Sequence, residues 1–126
     1  MAREFTASQR ASLDQAIRSA ERVSRCEFSV FVGTAEGDPR QFAERLHAAL
    51  STPARSVLVM VDPVARVIEV VTGSEVRRVL SDQEVALAVL QMRTEFAGGE
   101  LVSGLRRGVT MLAMGARAPR TLHTQA

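Results

Sequence analysis

A continuous apolar run lies within SVLVMVD, residues 56–62, where Val57, Leu58, Val59, Met60 and Val61 follow one another with no polar alternate. A strand covered on one face alternates, whereas a continuous run marks a central strand walled in on both faces. Asp62-Pro63-Val64-Ala65 then reverses the chain, with Asp62 suited to the first position of a tight turn and Pro63 to the second. VIEVVTG, residues 67–73, therefore returns antiparallel to the first run. Upstream, EFSVFVG places Phe28, Val30 and Val32 on one face and Ser29 and Phe31 on the other, an extended segment partly covered on each side.

Between and around these strands the period changes to that of a helix. From Ala7 to about Val23, Leu13, Ala16, Ile17, Ala20 and Val23 share one side, opposite Arg10, Asp14, Arg18 and Glu21. After the loop GTAEGD, Asp38 reads as an N-cap and Pro39 as a first helical residue, opening PRQFAERLHAAL with Phe42, Leu46, Ala49 and Leu50 inward. His47 sits beside that stripe and is expected to be partly exposed. SEVRRVL makes a short helical turn. Ser81 and Glu84 then form a capping box for a helix whose Val85, Val89, Met92 and Phe96 recur on one face. Ala86, Leu87 and Leu90 widen that face, so this most apolar helix is expected to be heavily covered. Gly98-Gly99 stops it. A last helix runs from Glu100 to about Ala116, with Leu101, Leu105, Val109 and Leu112 inward.

The helix between the first two strands predicts a parallel pair with a right-handed crossover. The sum is an α/β fold, a three-layer α/β/α sandwich on a small mixed sheet made of a strand-helix-strand unit and an antiparallel hairpin. Residues 1–116 form the single domain, and residues 117–126 are expected to be a flexible tail.

Composition removes several classes of function. At 126 residues with 46% hydrophobic content the chain fits one domain. All sixteen basic residues are Arg, yet the net charge is only +2 because fourteen acids are interleaved with them. Nucleic-acid binders cluster their charge and add aromatic stacking residues; here only Arg77-Arg78 and Arg106-Arg107 are adjacent, and neither Trp nor Tyr is present. The lone Cys26 forms no intramolecular disulfide and is expected to be a buried small hydrophobe. The N-terminus lacks an apolar signal core, and no run approaches the ~18 apolar residues of a membrane span. These features predict a soluble cytoplasmic domain; a piece of an anchored protein would read the same way.

Glu69 interrupts the third strand. An acid there must reach solvent at an exposed edge or find an Arg partner, and Arg66 cannot share its face in a regular strand.

From Leu58 onward the order of elements resembles the TPM domain, a small α/β/α module of bacteria and of thylakoid repair factors. Its pattern is matched by Leu58-Val59-Met60-Val61-Asp62, Arg66, Val67-Ile68-Glu69-Val70, Thr72-Gly73 and Leu80-Ser81-Asp82, and by Phe96-Ala97-Gly98-Gly99-Glu100-Leu101-Val102-Ser103-Gly104-Leu105. The likeness spans about residues 9–116 and suits a soluble branch of the family from GC-rich bacteria. It departs from the family in having only Thr72-Gly73 where Gly-x-Gly is usual. Some TPM relatives are acid phosphatases or bind divalent cations through loop carboxylates. The resemblance thus implies Asp62, Arg66, Glu69 and Asp82 as candidates, with Asp38 and Glu36 as additions from the loop after the first strand. In that reading Asp38, Asp62 and Asp82 hold Ca or Mg and Arg66 contacts phosphate. Parallel pairing sets Asp38 and Asp62 at one sheet edge, where α/β sheets bind ligands. Each aspartate also has a local explanation, as N-cap, turn former and first-turn helix acid. With no nucleophile-base pair present, the first reading is a non-catalytic protein-interaction or regulatory module with a protein partner not named by the sequence. The alternative is a low-activity, divalent-cation-dependent acid phosphatase, and weak nucleic-acid binding ranks last.

Overall fold

The computed structural model describes residues 5–117. The 117–126 tail lies outside those residues apart from Arg117. The elements are α1 (Ala7–Ser24), β1 (Glu27–Val32), α2 (Pro39–Ala48), β2 (Ser56–Asp62), β3 (Val67–Thr72), α3 (Asp82–Ala97) and α4 (Leu101–Ala116). Two single 3-10 turns, Pro53–Arg55 and Val76–Arg78, precede β2 and α3.

All seven residues of β2 are buried, and β2 is the middle strand of a three-stranded sheet ordered β1-β2-β3. It pairs parallel to β1, with Val30 opposite Val59, and antiparallel to β3, with Val59 opposite Val70. Alternate β2 side chains therefore serve two different cores. Val57, Val59 and Val61 join Leu13, Ala20, Phe28, Ile68, Met92, Leu105, Val109 and Leu112 under α1, α3 and α4. Leu58 and Met60 face the other way, against Ala43 and Val71, with Phe31, Phe42 and Leu46 of the α2 side packed alongside. Phe31 and Phe42 meet edge-on at 5.4 Å, a favoured aromatic geometry. The sheet thus carries one helix on one face and three on the other.

α4 lies between α1 and α3 and packs on both. Small residues permit the close α3–α4 approach. A Cβ at Gly108 would fall 2.4 Å from the Met92 sulfur, and one at Gly104 would fall 2.6 Å from the Phe96 ring. The capping box expected at α3 is present in full, as Ser81 accepts from the Glu84 amide and the Glu84 carboxylate accepts from the Ser81 amide.

Four expectations need correction. Val23 on α1 and Ala49 just past α2, placed on the inward faces by their spacing, are exposed. The middle of α3, residues 85–90, is apolar all round, but its cover is one-sided: Leu87 is 52% and Leu90 60% exposed. The cause is width. Strands spaced about 4.8 Å apart make a narrow three-stranded floor, while each helix is about 10 Å across, so an outer helix overhangs it. His47 is buried rather than partly exposed. Its Nε2 lies 3.0 Å from the Ser56 carbonyl, and since a carbonyl only accepts, Nε2 carries the proton and ties the end of α2 to the start of β2.

Both sheet edges are blunted by side chains. On β3, Arg40 donates to the Val70 carbonyl at 2.8 Å and Arg77 donates to the Thr72 carbonyl. On β1, the Phe28 amide donates to the Glu21 carboxylate at 3.0 Å. Cys26 is buried, as anticipated, and burial pushes its thiol up.

Candidate functional site

Every candidate residue has a visible structural setting. Asp38 caps α2, accepting from the Gln41 amide at 2.9 Å. Asp82 is the exposed first residue of α3, and Glu36 is exposed in the β1–α2 loop. Glu69 finds its Arg partner across the α2 layer, 3.2 Å from Arg40, which also holds Glu44 at 3.1 Å.

Asp62 is the buried acid of the set, only 4% exposed. One carboxylate oxygen accepts from the Ala35 amide at 3.0 Å and the other from the Ala65 amide at 3.1 Å. The first bond reaches 27 residues back and pins the β1–α2 loop to the β2–β3 turn. These amides, Ala35 foremost, hold the Asp62 carboxyl below the usual carboxylate range despite the opposing effect of burial. Asp38, Asp62 and Asp82 are not gathered into a cation cage. Among the described residues no group of three or more His, Cys, Asp or Glu side chains is placed to hold a metal ion. A hard cation wants several such oxygens together.

Arg66 belongs to the turn rather than to β3. Its φ is +61°, a left-handed conformation that suits the end of a four-residue hairpin loop and is unfavourable for a non-glycine residue. Its side chain stands at the mouth of a cavity of about 490 Å³ at the C-terminal end of β2. Val61, Ile68, Phe96 and Leu101 give the cavity apolar walls, and Arg66, Arg93 and Asp62 are its charged members. Both arginines are exposed, and neither is in an ion pair among the described residues. Phe96 can stand in the wall because Gly104 leaves room for its ring, and Gly99, at φ +84°, turns the chain there from α3 into α4.

A wider depression of about 690 Å³ lies at the other end of the sheet, among Glu21, Arg25, Cys26, Glu27 and Arg55. Its charges are largely engaged: Glu21 accepts from Phe28, and Arg55 is 4.0 Å from Glu27. The cavity at the end of β2 is the better candidate, since it combines apolar walls with two arginines that are in no ion pair among the described residues, at the ligand-binding edge of an α/β sheet. Arg93 was not singled out by sequence, and Phe96 was read only as a core position and as part of the family-like segment. Only the packing of α3 beside a hairpin about thirty residues earlier makes them neighbours of Arg66.

The model of a domain of unknown function, DUF5130, matches residues 1–113. The chain belongs to the DUF5130 family. Two curated relatives from Mycobacterium tuberculosis, the uncharacterized proteins Rv2468c of strain H37Rv and MT2543 of strain CDC 1551, are each 32% identical to this DUF5130 domain over 104 residues. That alignment takes 82% of this chain and 62% of each relative, so the domain spans less than two-thirds of their length. The same fold appears in the BA42 protein of Bizionia argentinensis, with TM-score 0.80, 21% identity, and cover of 90% of this chain and 82% of that one. It appears also in the N-terminal domain of the cg2496 protein of Corynebacterium glutamicum, with TM-score 0.74, 12% identity, and cover of 97% and 85%. Among the described residues no helix is long and apolar enough to cross a membrane.

Proposed function

We propose that this DUF5130 domain is a non-catalytic binding module that docks a protein partner at the cavity between the β2–β3 hairpin and the α3–α4 turn. One observation carries the reading: Arg66 and Arg93, from separate elements, flank apolar walls with no ion-pair partner among the described residues. The other candidate residues support it by having local work. Asp38 caps a helix, Asp62 joins two loops and Glu69 compensates Arg40. Of the adjacent arginines, Arg77 bonds Thr72, Arg106 bonds Ser12 and Arg107 pairs with Glu95, while Arg78 is exposed.

A photo-crosslinker placed at Ala97, on the cavity rim, and another at Arg18, on the exposed side of α1, test the proposal in an extract of the source organism. A discrete protein adduct from Ala97 and none from Arg18 is the expected result. Equal labelling from both positions, or none from Ala97, removes it. The TPM resemblance supplies the competing reading, a Ca- or Mg-dependent phosphatase with Arg66 on phosphate. Cation-stimulated hydrolysis of p-nitrophenyl phosphate, lost on replacing Arg66, would establish that reading instead.

A further inference from the structure

From the lining of this cavity we infer the kind of segment it recognises: one in which a carboxylate stands next to a bulky apolar side chain. The inference rests on the binding reading above and adds the chemistry of the partner. Two arginines and Asp62 leave the lining with a surplus of positive charge, and Asp62 is held by the Ala35 and Ala65 amides. Neither Arg66 nor Arg93 is in an ion pair among the described residues. Guanidinium forks match a carboxylate in geometry and in charge. Beneath them Val61, Ile68, Phe96 and Leu101 present apolar surface in about 490 Å³, within the range of small-ligand pockets and suited to one aromatic or branched side chain rather than a folded body.

The surface beside the cavity favours a peptide over a free amphiphile. Ala97 lines the cavity and also ends a row on α3 made of Gln83, Leu87, Leu90, Thr94 and Ala97. These residues recur at alternating four- and three-residue steps, so they form one stripe along the helix. All five are exposed and none is charged. A small acid would fill the cavity and leave the stripe bare. A partner segment anchored by its apolar side chain, with its carboxylate at Arg66 and Arg93, has the stripe to run along.

The test is a titration of the ¹⁵N-labelled domain with acetyl-Ala-Leu-Ala-Phe-Glu-amide. Variants carrying Gln for Glu, or Ala for Phe, are the first controls, and sodium decanoate and inorganic phosphate are the others. Amides of residues 62–68, 93–101 and the stripe should shift with the parent peptide. Neutralising the peptide carboxylate should weaken binding about fivefold or more, the scale of two exposed charge-assisted contacts. The double variant Arg66→Gly, Arg93→Ala should do the same, and both positions are exposed, so the fold should persist. Equal binding of the Gln peptide overturns the inference. So does saturation by phosphate alone, which marks a bare anion site, or decanoate binding more tightly than the peptide, which marks an amphiphile pocket. If the Ala97 crosslink forms while the peptide shows no carboxylate dependence, docking stands and the proposed chemistry falls. If the crosslink is absent as well, both fall.

Discussion

Replacing Asp62 by Ala is expected to cost about 3–5 kcal/mol of folding stability. The side chain is almost wholly buried, and each of its oxygens accepts a backbone amide from a different loop, at 3.0 and 3.1 Å. A hydrogen bond to a charged group contributes about 1.5–3 kcal/mol, and deletion also strands two amides in a partly buried setting. Asp62→Asn should fall between the two, because one oxygen is replaced by an amide nitrogen that cannot accept. Urea denaturation at neutral pH measures both variants, and an unchanged m-value confirms that the loss lies in the folded state. The dependence on pH follows from the direction of the shift. The folded carboxyl is held below its ordinary value, so its contribution is fully present above the unfolded pKa of about 3.9 and fades as pH falls through the lower folded value. The gap between wild type and Asp62→Asn should therefore be constant from neutral pH to about 5 and narrow only in stronger acid. A loss below ~1 kcal/mol for Asp62→Ala at neutral pH would refute this account, since that is less than one charge-assisted bond.

Three further substitutions test other parts of the fold. Gly73→Ala should destabilise by about 3 kcal/mol or more, read by thermal or urea melting, because its Cβ would lie 2.0 Å from the Pro53 carbonyl oxygen and 2.4 Å from that of Ala54. Arg66→Gly should be neutral to stabilising by up to about 1 kcal/mol, as relief of the left-handed strain outweighs the added chain entropy of glycine; a clear loss would show that the Arg66 side chain supports the hairpin. The Thr52 hydroxyl is buried without a hydrogen-bond partner among the described residues, so Thr52→Val should be neutral or mildly stabilising, and a loss above about 1 kcal/mol would reveal a bound water or partner there.

The central strand was legible because burial on both faces leaves a signature in one strand alone: five apolar residues without alternation. The capping residues Asp38, Ser81 and Glu84 were legible for a similar reason, since a helix end is decided by residues within three positions of it. Burial of His47 was not, because its partner carbonyl at Ser56 depends on how α2 packs back on the sheet. The exposure of Leu87 and Leu90 escaped as well, since the number of helices per sheet face is not written in any one helix. The cavity was half visible. Asp62 and Arg66 stood out by their place in the hairpin and by family pattern, whereas Arg93 and Phe96 gain their meaning only from tertiary contact. Asp62 shows the limit of pattern most clearly: sequence read it as a turn former and a candidate ligand, and only the fold reveals that amides of two separate loops bond to it.

The arginines on the open side of β3 carry one last consequence. Arg40 and Arg77 occupy the outward Val70 and Thr72 carbonyls with planar groups that carry several donors each. A strand from a second molecule would have to displace both before it could add to β3, so this border resists edge-to-edge stacking.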